Sequence, residues 1–186
     1  VPQPLRKIVL RPTAVAFDPL VTAHGAATTY ECIDDDTPNG DTDYITTTSE
    51  ATGVWQLETA TSKGLDTSRP IASVILHSAV KAPPASNATD ATTVLFITGG
   101  FNEYPGASRT LIAGSGWQDF ADEFAINPDT GVPWVVADFD SIFVGHVTTY
   151  TDPVPPRVTA LWLEVWVALH GRSRYHGRYR EGPAVY

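Results

Sequence analysis

Apolar and polar positions alternate most clearly near the C-terminal end of the chain. Across residues 158–169 (V-T-A-L-W-L-E-V-W-V-A-L), Leu161, Leu163, Val165 and Val167 alternate with Trp162, Glu164 and Trp166. A period of two over this length predicts one long strand with a single face in a core. Compact β-branched runs at 71–80 and 92–98 predict two more strands, the second closed by Gly99-Gly100. Shorter strands are expected at 6–10, 44–48, 54–58, 111–113 and 144–150. Residues 116–126 fit two periods. Trp117, Phe120, Ala121 and Phe124 stand at helical spacing, yet Phe120, Phe124 and Ile126 share a strand face, and we read a strand. Residues 133–143 read as a short helix, with Pro133 near its first turn and Phe139 and Ile142 on one side.

Helical periodicity is weak elsewhere, and 15 prolines and 14 glycines punctuate the runs. Many short strands without alternating helices predict an all-β sandwich or barrel. Residues 80–91 form a polar, proline-bearing connection, and 151–156 (T-D-P-V-P-P) a stiff lead into the last strand. Beyond Leu169 the chain has no aliphatic periodicity. The expected organisation is an N-terminal arm and first strand over 1–12, a sandwich over 13–169 and a basic aromatic extension over 170–186. A chain of 186 residues suits one domain.

Charge sharpens that division. Residues 1–11 carry +3, and 170–186 hold Arg172, Arg174, Arg178 and Arg180 against Glu181, again +3. The body between them has five bases and twenty acids, −15, within a net −9. Such a body repels nucleic acid, since binding there would add like charge. No apolar stretch approaches the roughly 20 residues a membrane-spanning helix needs. The opening V-P-Q-P-L-R-K-I-V-L-R-P has no seven-residue apolar run, so no signal peptide is expected.

Candidate chemistry is sparse. Residues 33–45 (I-D-D-D-T-P-N-G-D-T-D-Y-I) pack five aspartates around a Pro-Asn-Gly turn. Asp34, Asp35, Asp36, Asn39, Asp41 and Asp43 could offer oxygens to calcium, but the spacing is not that of an EF-hand. Turn capping is the simpler reading, so no cofactor is expected. The five histidines are scattered, with no zinc spacing beside the single Cys32, whose acidic neighbours disfavour a thiolate. His77, inside an apolar strand, reads as a satisfied or outward-facing side chain. Glu103, Asp138 or Asp140 could be paired as glycosidase carboxylates only arbitrarily, and no nucleophile elbow or phosphate loop occurs. The chain is therefore expected not to be an enzyme. Trp55, Tyr104, Trp117, Trp162 and Trp166 are available to stack on a glycan. Trp162 and Trp166 flank Glu164 on one strand face, a stripe that suits a core or subunit interface better than a glycan.

Three motifs occur in a recognisable order: the acidic turn at 33–45; I-N-P-D-T-G-V-P-W at 126–134, followed by Ala137-Asp138-Phe139; and the closing strand R-V-T-A-L-W-L-E-V-W at 157–166. With the opening Leu10-Arg11-Pro12, this arrangement resembles a group of tailed-bacteriophage virion proteins built on a single jelly-roll β-sandwich. The likeness spans roughly residues 5–168. It implies an all-β jelly roll with one short helix and an extended C-terminal tail, located in the virion as a capsid decoration or head-fibre subunit. Asn127-Pro128-Asp129-Thr130-Gly131 would then form a corner of the sandwich, with Trp134 capping one end. The implied partner is the major capsid protein or another virion protein. Arg172, Arg174, Tyr175, Arg178, Tyr179 and Arg180 would bind it, because guanidinium forks pair with carboxylates and stack on rings. Self-association, as a trimer, would suit a sandwich presenting an aromatic strand. The alternative expectation is a carbohydrate-binding module or a tail-associated host-adhesion protein.

Overall fold

The computed structural model describes residues 4–35, 42–82, 89–97, 102–151 and 154–169. The described residues form two packed antiparallel sheets. In the first, the strand order is β10 (Trp117–Phe124), β6 (Ile71–Lys81), β12 (Arg157–Ala168), β4 (Tyr44–Thr47) and β3 (Val21–His24). β1 (Leu5–Leu10) pairs with the distal half of β12, on the edge whose proximal half β4 occupies. The second sheet runs β2 (Pro12–Phe17), β5 (Thr52–Leu57), β11 (Phe143–Thr149), β7 (Asp90–Ile97) and β8 (Asn102–Pro105), with β9 (Arg109–Thr110) also on β7.

Strand order defines the topology. Within the two sheets lie the quartets β4–β12–β6–β10 and β5–β11–β7–β8. The chain passes from one sheet to the other at every step from β4 to β12, except where β7 turns back as β8 and then β9 in the second sheet. This double Greek-key winding is a jelly roll.

The expected alternation in β12 holds. Leu161, Leu163 and Val165 are fully buried and Val167 nearly so, facing Leu76 and Val74 of β6 and Ile8 and Leu10 of β1 on the same inner side. Residues 116–126 do form a strand, β10. The expected helix is one 3-10 turn, Val136–Asp140, whose Asp138 carboxylate accepts the Val135 N–H at 2.9 Å. Residues 111–113 are not a strand. Pairing ends at Thr110, and Leu111 turns inward as a core side chain. β2, β3 and β8 went unpredicted because they are short or exposed edge strands with few inward apolar side chains.

The corner at 127–131 matches its expected chemistry. Asn127 accepts the Asp129 N–H through Oδ1 at 2.9 Å, and Gly131 adopts φ 71°. The Asp129 carboxylate accepts from Asn102 Nδ2 (2.6 Å) and Tyr104 Oη (2.7 Å), tying the corner to β8. Trp134 is buried, stacked on Phe139 at 5.5 Å, and donates to the Phe124 carbonyl at 2.7 Å. Trp55 is fully buried and donates to Thr29 Oγ1 at 3.1 Å, which removes it from the expected glycan-contacting aromatics.

Candidate ligand-binding face

Inward placement of Leu161, Leu163, Val165 and Val167 forces Trp162, Glu164 and Trp166 onto the outer face of the first sheet. Cross-strand register then assigns their neighbours. Trp162 lies opposite His77, Glu164 opposite Ile75 and Val9, and Trp166 opposite Ser73 and Lys7. The stripe is not core: it forms the floor of a sheet's outer face, with Trp162 and Trp166 half-buried.

Trp162 and His77 stack with ring centroids 4.8 Å apart and planes 1° from parallel. Glu164, largely buried, accepts from Lys7 Nζ at 2.8 Å, and His77 Nε2 stands 3.5 Å from its other oxygen. Burial alone would raise the Glu164 carboxyl, but the Lys7 hydrogen bond and the neighbouring positive charge hold it below the ordinary carboxylate range. Burial pushes His77 down and outweighs the pull of Glu164, so the ring is neutral at pH 7 and Lys7 is the counterion. Trp166 Nε1 is buried without a hydrogen-bond partner among the described residues.

Beside Trp162 opens a groove of about 550 Å³ lined by Lys7, Val9, Arg11, Lys63, Trp162 and Glu164. β1 supplies Lys7 and Val9 at alternate positions, and Arg11 follows in the turn to β2. Glu58, just after β5, organises the rim. One oxygen accepts the Arg11 backbone N–H at 3.1 Å, and the other pairs with Lys63 Nζ at 2.8 Å. Arg11 also donates to the Asp34 carbonyl at 2.8 Å. Toward the far end of the same face, Arg157 lies over Tyr44 (4.4 Å), Tyr44 stacks on His24 (4.6 Å), and Lys81 lies over Trp117 (5.7 Å). The result is a sheet face of fixed rings and cations that can stack on a flat apolar surface and donate hydrogen bonds at its edges.

The other expected residues fall elsewhere. Asp34, Asp35 and Asp43 are half-buried and near one another. Burial is the main cause raising Asp34 and Asp35, followed by a neighbouring carboxylate, Asp35 for the first and Asp43 for the second. Asp36, Asn39 and Asp41 lie outside the described residues, as do Arg172, Arg174, Tyr175, Arg178, Tyr179 and Arg180. Among the described residues no three His, Cys, Asp or Glu side chains gather as metal ligands. Cys32 is buried, and burial more than nearby acid pushes its thiol up. Glu103 borders a separate apolar groove of about 390 Å³ on the outer face of the second sheet, with Phe17, Thr52, Val54 and Phe96.

The sequence marks Trp162 as a candidate aromatic with Glu164 on the same strand face; the fold adds Lys7, Arg11, Lys63 and the stacked His77 beside them. Lys7, Val9 and Arg11 do share one parity, a legible signal. The sequence alone did not show that this parity adjoins Trp162.

No protein-family model matches the chain, and comparison with curated proteins finds no match. Among solved structures, the chain is similar to the enzymatically active domain of bacteriophage CBA120 tailspike protein 4, at 10% identity and TM-score 0.42. The match covers 88% of this chain but 19% of that one, so the chain spans about a fifth of the tailspike domain. It is also similar to the CBM22-1 xylan-binding domain of Paenibacillus barcinonensis Xyn10C (10% identity, TM-score 0.43, 89% and 97% covered). A third is a structure of infectious bursal disease virus Gx strain (14% identity, TM-score 0.33, 90% and 33% covered). Likeness at this level leaves the fold assignment resting on the strand order.

Proposed function

We propose that this chain is a non-enzymatic binding domain that holds a glycan against the outer face of its first sheet. The observation that carries this reading is Trp162. Its ring is held parallel to His77 and forms part of the lining of a groove that also contains Lys7, Arg11, Lys63 and Glu164. A sugar ring presents C–H groups on one face and hydroxyls at its edge. A fixed indole with charged donors and an ionised acceptor nearby complements both. Because Trp162 is already ordered, little side-chain entropy is lost on binding.

Trp162→Ala is expected to weaken binding to an oligosaccharide panel at least about tenfold, with the melting temperature little changed, since the side chain lies outside the core. Glycan-array signal followed by calorimetry checks this. Unchanged affinity in a folded Trp162→Ala protein would overturn the reading.

A second reading, a capsid decoration or head-fibre subunit of a tailed phage, draws on the motif resemblance and on the charge partition of +3 at each end against −15 between. Cationic ends can bridge to an acidic neighbour, including another copy's body. A chain ending at Leu169 is then expected to lose co-sedimentation with phage particles. Retained co-sedimentation would sink the anchoring role of 170–186. Host adhesion by a virion protein would join both readings, with the glycan face outward.

A further inference from the structure

We infer that the groove beside Trp162 selects anionic glycans, sugar rings bearing carboxylate or sulfate, over neutral ones. This rests on the glycan reading of the same groove. Its lining carries three cations, Lys7, Arg11 and Lys63, and one carboxylate, Glu164. Lys7 and Arg11 come from the N-terminal segment that carries +3, and Lys63 from the central segment of five bases and twenty acids, so the fold joins them across the sequence.

The existing ion pairs do not exhaust the cations. An ammonium has three donors. Lys7 gives one to Glu164 and Lys63 one to Glu58, each at 2.8 Å. Each lysine thus keeps donors for an incoming anion without breaking its pair. Glu164 limits what fits. It repels an anion placed over the Lys7 side of the groove, as Glu58 does beside Lys63, so an anion is held only where the remaining lysine donors point, and the Glu164 oxygens stay acceptors for sugar hydroxyls. Trp162 takes the ring face.

The test uses the full chain and three probes: tetragalacturonate, its methyl ester and a sulfated tetrasaccharide. Calorimetry at low and high salt should show the two anionic probes binding at least about tenfold tighter than the ester, a gap that narrows as salt screens it. Lys63→Gln, at a half-buried loop position, should weaken the anionic probes about fivefold more than it weakens the ester. Lys63→Arg should restore binding. A preference for only one anionic probe would assign the anion class. Equal affinity for ester and acids, or no effect of Lys63→Gln on the acids, would overturn anion selection while the glycan reading stands. Failure of every glycan to bind would overturn both.

Discussion

His146 sits in an environment that opposes its charged form. It sits on β11, fully buried between Gly53 and Thr93 of the neighbouring strands, and neither ring nitrogen has a hydrogen-bond partner among the described residues. Burial pushes its pKa from 6.5 down to about 4. The folded state therefore prefers the neutral ring, and between those values the unfolded chain binds more protons. Its contribution to stability is intact above pH 6.5 and falls as the pH drops toward 4, a loss of ~3 kcal/mol. Urea denaturation at pH 7 and pH 4 should show this loss, and His146→Leu should remove most of it. The same variant is expected to be neutral or stabilising by about 1 kcal/mol at pH 7, because an unpaired buried polar ring is replaced by an apolar side chain. A larger loss at pH 7 would mean that the imidazole makes a favourable contact. None of this was legible in V-G-H-V, where histidine suits either face of a strand. Trp162 and Glu164 were legible because seven positions around them keep one strict parity.

At the scale of elements, one polar cluster fastens an edge of the sandwich. Asp122 of β10, in the first sheet, accepts from Thr93 Oγ1 of β7, in the second. It also takes two bonds from Arg109 (Nη1 at 2.9 Å, Nη2 at 2.6 Å) and the Ala107 N–H at 3.0 Å. Burial would raise its carboxyl, but these donors win and hold it below the ordinary range. Its stabilisation is thus present above the ordinary carboxylate pKa and lost as pH falls through the lower folded value. Gly106 is required by the same cluster, since any Cβ there would run into the Asp122 carboxylate. Asp122→Ala is expected to cost about 3 kcal/mol, by leaving Arg109 without its counterion and the buried Thr93 hydroxyl without its acceptor. Gly106→Ala should destabilise in the same direction, by steric conflict. Chemical denaturation of both, with the double variant less than additive, would confirm a shared cause. Strand β10 itself was readable from Phe120 and Phe124. Its lock was not, because Asp122 and Arg109 are ordinary charged residues until the fold places them 2.6 Å apart.

For the whole molecule, the first sheet closes only when its last strand, β12, has joined. β12 pairs with β1, β4 and β6, so Leu5 meets Ala168 and Val158 meets both Ile45 and Val80. A chain ending at Leu169 should keep its melting temperature. One ending at Pro156 lacks the central strand and should show neither near-ultraviolet dichroism nor a cooperative melt. A folded product from the shorter chain would mean that β6 and β4 find another partner. Such long-range pairing also predicts folding in milliseconds to seconds rather than microseconds. By itself the sequence determined the all-β class, the strands at 71–80, 92–98 and 158–169, the strict alternation in the last of them, and the corner at Asn127–Gly131. Each of these follows from local rules: a period of two, the special dihedrals of glycine and proline, and short-range side-chain capping. Only the tertiary structure decided that Lys7, Arg11 and Lys63 share a groove with Trp162 and Glu164. It alone decided that Trp55 is core, and that His77 supports an indole. Those placements depend on register between strands distant in the chain, which many pairings of the same pattern would satisfy until one core is packed.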